Sequence, residues 1–283
     1  MQAKGVFILL FSFISVLGSA QNLEIQRLNN TGAMPSVIPL DTLDYAIIRC
    51  EYSQSVAQDV QQPTRKTKDR MLLQIGNKIS KFYNYTRFIS DSIMRNQILS
   101  DASMASILAG GRGKRGNICY EIFKGYPEKK NTYVEAIFID YFYYEENIEA
   151  PDWRLLSDTM TVLGYICKKA VCTFCCRDYE AWYAPKIPLR EGPWKFTGLP
   201  GLILKVSDTK NEIKFEAVAI ESAKWKDPIV FKLEPTLQKT DKKKFKKAYS
   251  DYMKNPASVI KEYATIDELQ IKSKPHNPLE LCE

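Results

Sequence analysis

Four thiols fall within a ten-residue stretch, at Cys167, Cys172, Cys175 and Cys176. Cys172-Thr173-Phe174-Cys175 has C-x-x-C spacing, and with Cys167 and Cys176 it supplies the sulfur donors of a four-thiolate zinc site or another soft-metal site. The same spacing suits a redox dithiol, because it lowers a thiol pKa at a helix start. The flanking residues read as strand, turn and strand, without the βαβ frame of a thioredoxin site. That context favours structural disulfides, with the metal and redox readings as alternatives. The chain has seven cysteines, an odd number, so at least one stays free or pairs outside the chain. Cys282 lies in a tail that needs pinning, and its expected partner is Cys50 or Cys119.

Other chemistry finds little support. The one histidine, His276, sits beside Pro275 and Asn277 in the tail. A Ser-His-Asp triad would depend on that strap, so the expectation is a surface histidine. Neither H-E-x-x-H nor G-x-S-x-G occurs. The basic glycine loop Gly110 to Gly116 fails as a phosphate cradle, since Leu108 stands where Walker A needs glycine and Arg115 follows the lysine. Glu145-Glu146 and Asp140 read as acidic residues at strand ends. No catalytic residue is assigned and no cofactor is implied; a metal is left open.

The elements that must position these groups are mostly strands. Asp44 to Tyr52 reads as one strand, and Arg70–Gly76 with Lys78–Tyr83 reads as a hairpin about Gly76-Asn77. Further strands are expected at Ile118–Phe123, Thr132–Tyr144, Thr159–Lys168, Asp178–Tyr183, Gly201–Val206 and Glu212–Ile220. Ile93, Ile98, Met104 and Leu108 favour a helix over 91–108, ended by Gly110-Gly111. A second helix over 241–254 is capped by Thr240-Asp241, with Phe245, Tyr249, Tyr252 and Met253 on one face and lysines on the other. Asn255-Pro256 closes it. Residues 272–283 read as an extended strap. The fold class is therefore mainly β with α additions, a curved antiparallel sheet comparable to a half-barrel. Tyr141, Phe142, Tyr143 and Tyr144 put rings on both faces of one strand, so one face is core and the other is covered or a binding platform.

Between the strands ending at Tyr183 and starting at Leu202 runs the most distinctive segment. Gly192, Pro193 and Trp194 lead into Gly198-Leu199-Pro200-Gly201-Leu202-Ile203. Glycine permits φ > 0 and close approach while proline fixes its own φ, so the segment reads as a rigid turn feeding a buried strand. An exposed loop presenting Leu199 and Trp194 to a partner is the second reading. The block resembles the signature of the GLPGLI family of exported bacterial proteins. The resemblance extends to Leu163–Ala170, Arg177–Tyr183, Leu72–Gly76 with Ser80–Tyr83, and Asn277-Pro278-Leu279-Glu280. One departure is Cys175-Cys176, where the family more often carries Arg-Gly or a similar pair.

The first twenty residues have a secretory layout: Lys4, an apolar run from Val6 to Leu17, then Gly18 and Ala20. The run is short for a membrane span. The expected organisation is a signal peptide at 1–20 cleaved after Ala20, a loose leader at 21–40, and a single GLPGLI-type β-rich domain at 41–283. No transmembrane segment remains after signal removal. The charge of +7 over 283 residues is too mild for nucleic acid. Together with the resemblance, these features imply an exported, periplasmic or secreted cell-envelope protein. Its expected role is a non-enzymatic accessory that holds an outer-membrane protein, a peptide or an apolar ligand. A thiol-based metal or redox protein using Cys167–Cys176 is the alternative. Oligomeric state stays open.

Overall fold

A computed structural model describes residues 37–100, 116–260, 273 and 275–282. The expected signal peptide, most of the leader, the segment 101–115 and residues 261–272 lie outside the described residues. The strands are β1 (Leu40–Tyr45), β2 (Ile48–Ala57), β3 (Lys66–Ile75), β4 (Ser80–Asn84), β5 (Glu121–Lys124), β6 (Lys130–Ile137), β7 (Asp140–Asn147), β8 (Arg154–Val162), β9 (Tyr165–Phe174), β10 (Arg177–Ala184), β11 (Leu202–Asp208), β12 (Ile213–Ser222), β13 (Pro228–Lys232) and β14 (Gln238–Lys239). Among the described residues three helices join them: α1 (Tyr85–Leu99), α2 (Lys242–Lys254) and α3 (Pro256–Ile260).

Twelve strands form one large curved sheet in the order β14-β7-β6-β5-β4-β3-β2-β12-β11-β10-β9-β8, and β1 pairs with β13 as a separate ribbon. Every pairing in the large sheet is antiparallel except β14 with β7. The sheet does not close into a barrel. The mainly β, curved-sheet expectation therefore holds.

Two stretches that read as single strands are hairpins. Thr132–Tyr144 breaks into β6 and β7 at Phe138-Ile139, with Phe138 at φ 62°. Thr159–Lys168 straddles Leu163-Gly164, where both residues have positive φ (50° and 80°) and Val162 faces Tyr165. Paired positive φ values suit a two-residue turn that matches strand twist. Cys175 and Cys176 form a second such turn, at φ 49° and 61°, between Phe174 and Arg177. Residues 44–52 likewise divide between β1 and β2.

The helices follow their caps. Asn84 accepts from the Arg87 amide at 3.0 Å and starts α1 six residues before the expected 91. Residues 101–108 of that expectation lie outside the described ones. Asp241 accepts from the Lys244 amide at 2.8 Å, so α2 begins where the sequence places it. Pro256 opens α3, as a residue without an amide hydrogen can at a first helical position.

The main core lies on one face of the sheet and includes Tyr52, Met71, Phe82, Tyr179, Trp194, Phe196, Leu204 and Phe215. A second cluster joins Phe245 and Tyr252 of α2 to Ile137 and Tyr144. On the opposite face, Phe123, Val134, Ile229 and Phe231 pack beneath the β1–β13 ribbon.

Candidate functional site

The segment 185–201 turns inward. Trp194 and Leu199 are each 1% exposed, so neither is presented at the surface. Trp194 meets Phe174 and Phe196 edge-on, with centroids at 5.7 and 5.2 Å. The buried Lys124 ammonium holds the loop from below, donating to the Gly192 carbonyl at 2.6 Å and to Glu191 Oε2 at 2.8 Å. Trp153 Nε1 donates to the Thr197 carbonyl, and Tyr52 hydroxyl to that of Ile203 at 2.6 Å. At Gly201, with φ 152°, a Cβ would lie 2.3 Å from the Ala184 carbonyl oxygen. Gly198 has φ 97°, and a Cβ on Gly192 would lie 2.9 Å from the Ile203 side chain. Leu202 and Ile203 continue into the core. Pro193 and Pro200 complete a loop whose polar backbone is spent on internal bonds.

The cysteines separate. Cys176 bonds to Cys282 across 106 residues, where Cys50 or Cys119 was the expected partner. The turn at Cys175-Cys176 brings Cys176 to the tail, and the Leu281 amide bonds the Cys175 carbonyl alongside. Cys50, Cys119, Cys167, Cys172 and Cys175 remain thiols. Five free thiols would by number suit thiol chemistry, but their surroundings do not. Burial pushes Cys50, Cys172 and Cys175 up to about 12 and raises Cys119 and Cys167, so the thiolate that binds metal or attacks is disfavoured. Among the described residues no group of His, Cys, Asp or Glu forms a metal site. The metal and redox alternative is corrected on these grounds.

The tail is a strap pinned at several points. Arg177, buried, pairs with Asp208 at 3.3 Å and Glu212 at 3.1 Å, and its second nitrogen donates to Asn277 and to the Pro278 carbonyl. Asn277 in turn donates to the Ala57 carbonyl at 3.0 Å. Lys195, buried under the strap, pairs with Glu280 and Glu146. Lys242 of α2 reaches the same two carboxylates at 2.8 and 2.9 Å.

Between the strap, α2, the segment 117–120 and strands β2, β6 and β7 lies a cavity of about 1160 Å³. Its floor is a ladder of rings. Tyr120 stacks on Tyr133 (centroids 5.6 Å, 24°) and Tyr133 on Tyr144 (5.0 Å, 19°), and Phe245 leans on the last two. Lysines of α2, Glu280 and His276 also line the cavity, and two polar groups, Glu135 and Gln54, lie against the rings. Tyr133 hydroxyl donates to Glu135 Oε2 at 2.6 Å, and Tyr249 bonds the same carboxyl from α2. Burial raises the Glu135 pKa from 4.5 to about 7. Gln54 accepts from Tyr120 hydroxyl at 2.9 Å, while its buried Nε2 has no partner among the described residues. Arg87 of α1 reaches the cavity from the side.

Sequence reasoning placed the signature loop and the cysteines and passed over this cavity. One signal was available: Tyr133 and Glu135 are two apart in a strand, so they share a face, and Tyr144 falls opposite Tyr133 only once the hairpin is recognised.

A family model described as the N-terminal domain of N-glycanase peptide matches residues 141–250. Two solved structures of PNGF-II resemble the chain, one in the P21 and one in the C2 space group. The first has a TM-score of 0.48 and the second 0.47, each at 14% identity over 72% of this chain and 33% of that one. The chain thus spans about a third of the length of those proteins. No curated protein matches it. The matched segment contains the whole block from Gly192 to Ile203, so the GLPGLI resemblance is corrected to an N-glycanase one. The same match overturns the expectation of a non-enzymatic accessory for an apolar ligand or membrane protein.

Proposed function

We propose that the chain is an N-glycanase-related protein that acts on carbohydrate, and that the cavity between β2, β6, β7, α2 and the tail is where the saccharide is held. The observation that carries this reading is the N-glycanase match over 141–250, because that segment supplies Tyr144, Trp194, Lys242, Phe245 and Tyr249 to the cavity lining. The chemistry of the lining agrees. Aromatic rings line the cavity and give it apolar surface for the C–H side of a sugar, and convergent polar groups fix its orientation. Gln54 has an amide donor to give to a hydroxyl. Glu135, with a pKa of about 7, gains and loses a proton near neutrality, the property required of a general acid or base. Export belongs to the same reading, supported by the Cys176–Cys282 disulfide, since such bonds persist in oxidising compartments.

The test uses the full chain and an N-linked glycopeptide. Calorimetry reads binding, and mass spectrometry reads release or shortening of the glycan. Binding that weakens in Tyr133→Ala, or glycan release that falls in Glu135→Gln, is expected. A folded protein that neither binds nor alters the glycopeptide would overturn the reading.

A further inference from the structure

We propose that the saccharide held in this cavity is an acidic one, whose carboxylate is taken by Arg87. The inference rests on the carbohydrate reading above and adds the class of sugar.

Arg87 stands in the first turn of α1, half-buried, where it borders the cavity. Its guanidinium is fixed by two neutral groups: Nη1 donates to Cys119 Sγ at 3.1 Å and Nη2 to Tyr141 hydroxyl at 2.5 Å. Burial keeps that thiol protonated. Among the described residues no carboxylate lies within ion-pair distance of Arg87. Asp91, one turn along α1, pairs with Lys232 at 2.5 Å instead. A guanidinium has five N–H donors in a planar fork; two are committed here, leaving donors for a planar carboxylate, which arginine binds in preference to a point contact. Asp91 and Glu234 act on Arg87 electrostatically from beyond ion-pair distance, so an entering carboxylate would be its first direct ionic partner among the described residues.

One further feature favours an anion over a neutral sugar. Glu135, the carboxyl on the floor, is disposed to be neutral, so it does not repel a negative ligand as an ionised group would. Glu135 is faced by Tyr133 on its own strand, Tyr144 on β7, Tyr120 and Cys119 before β5, Tyr249 on α2, and Arg87 on α1. Arg87 is the one charged member of that set; Lys242 and Lys246 of α2 line the same cavity, as does His276, which packs on Tyr249 at 5.2 Å and whose pKa burial lowers. A carboxylate bound to Arg87 offsets its charge and favours the protonated form of Glu135, so binding should tighten as pH falls from 8 to 6.

The probe is a sialylated biantennary N-glycopeptide, compared by calorimetry with the same peptide after desialylation. The acidic form is expected to bind on the order of tenfold more tightly at pH 6, with the ratio shrinking at pH 8. Arg87→Gln should bring the ratio toward one, and Arg87→Lys should restore part of it. If the Arg87 variants fail to fold, Glu135→Gln carries the test, because it should abolish the pH dependence of the ratio. Equal affinity for both peptides would overturn this inference and leave the carbohydrate reading standing. Absence of binding to either would overturn both.

Discussion

Tyr133 and Glu135 share one face of β6, and the tyrosine hydroxyl donates to the carboxylate at 2.6 Å inside a ring-lined cavity. Glu135 is 8% exposed, and desolvation outweighs that bond, raising the pKa from 4.5 to about 7. The sign of the effect on stability follows from proton counting. Below pH 4.5 the folded and unfolded chains both carry the proton. Between 4.5 and 7 the folded chain keeps a proton that the unfolded chain has lost, so this group's contribution falls as pH rises. Above 7 it stays flat, lower by up to about 3 kcal/mol. Glu135→Gln should therefore unfold at a higher temperature than wild type at pH 8 and near the same temperature at pH 4. Melting curves at the two pH values check this, and a difference that is constant with pH would refute it.

Gly201 and Gly164 both have positive φ, at 152° and 80°, yet they should respond differently to alanine. At Gly201 the added Cβ would lie 2.3 Å from a backbone oxygen, whereas nothing lies within 4 Å of a Cβ at Gly164. Gly164→Ala carries only the left-handed backbone cost, about 1 kcal/mol. Gly201→Ala adds a clash with backbone that cannot step aside, so a loss of about 3 kcal/mol or more is expected. Denaturant unfolding of the two variants measures the contrast, and equal losses would remove the architectural account of the loop.

Period and capping made most of the fold legible. Asp241 announced α2 to the residue, and the apolar run Leu202-Ile203-Leu204 after the Gly-Pro-Gly turn announced β11. What was lost turned on non-glycine residues at positive φ. Phe138 carries no turn signal, so β6 and β7 read as one strand, and with them merged the Tyr133–Tyr144 stack could not be foreseen. Cys175-Cys176 read as chemistry because four thiols crowd the sequence. Their turn conformation, which sends Cys176 to the tail and leaves Cys175 half-buried, depends on partners about a hundred residues away. Arg87 and Glu135 approach each other across a helix and a sheet, which local sequence cannot record.

Lys195 makes a pH prediction of opposite sign to that of Glu135. Burial works to raise Glu280, but Lys195 and Lys242 outweigh it and hold its pKa below 4.5. A depressed carboxyl contributes stability that is present above its unfolded pKa and lost as pH falls through the folded one. Lys195→Met leaves Glu146 and Glu280 with less compensation, and a loss of about 3–5 kcal/mol is expected at pH 7. As pH falls through the depressed Glu280 pKa that carboxyl protonates, and the gap from wild type should narrow. Urea midpoints at pH 7 and 3.5 read both statements, and a gap that widens in acid would contradict them.

The Cys176–Cys282 bond and the Asn277 anchor hold the same strap by independent means, so removing them should reveal which one closes the cavity. In denaturant without reductant the chain should titrate five thiols, and seven after reduction, since two of its seven cysteines are joined. Cys282→Ser removes a link closing a loop of 106 residues, worth about 4 kcal/mol in chain entropy. Asn277 still ties the strap to Ala57 and Arg177, and Lys195 still grips Glu280. The single variant should thus lose stability while its folded form keeps the strap in place, with little gain in proteolysis of the tail under native conditions. Adding Asn277→Ala should free the strap and make residues 275–282 the first site of cleavage. Rapid native-state cleavage of the tail in Cys282→Ser alone would mean that the disulfide, and not the buried Arg177–Asn277 contact, fixes that wall of the cavity.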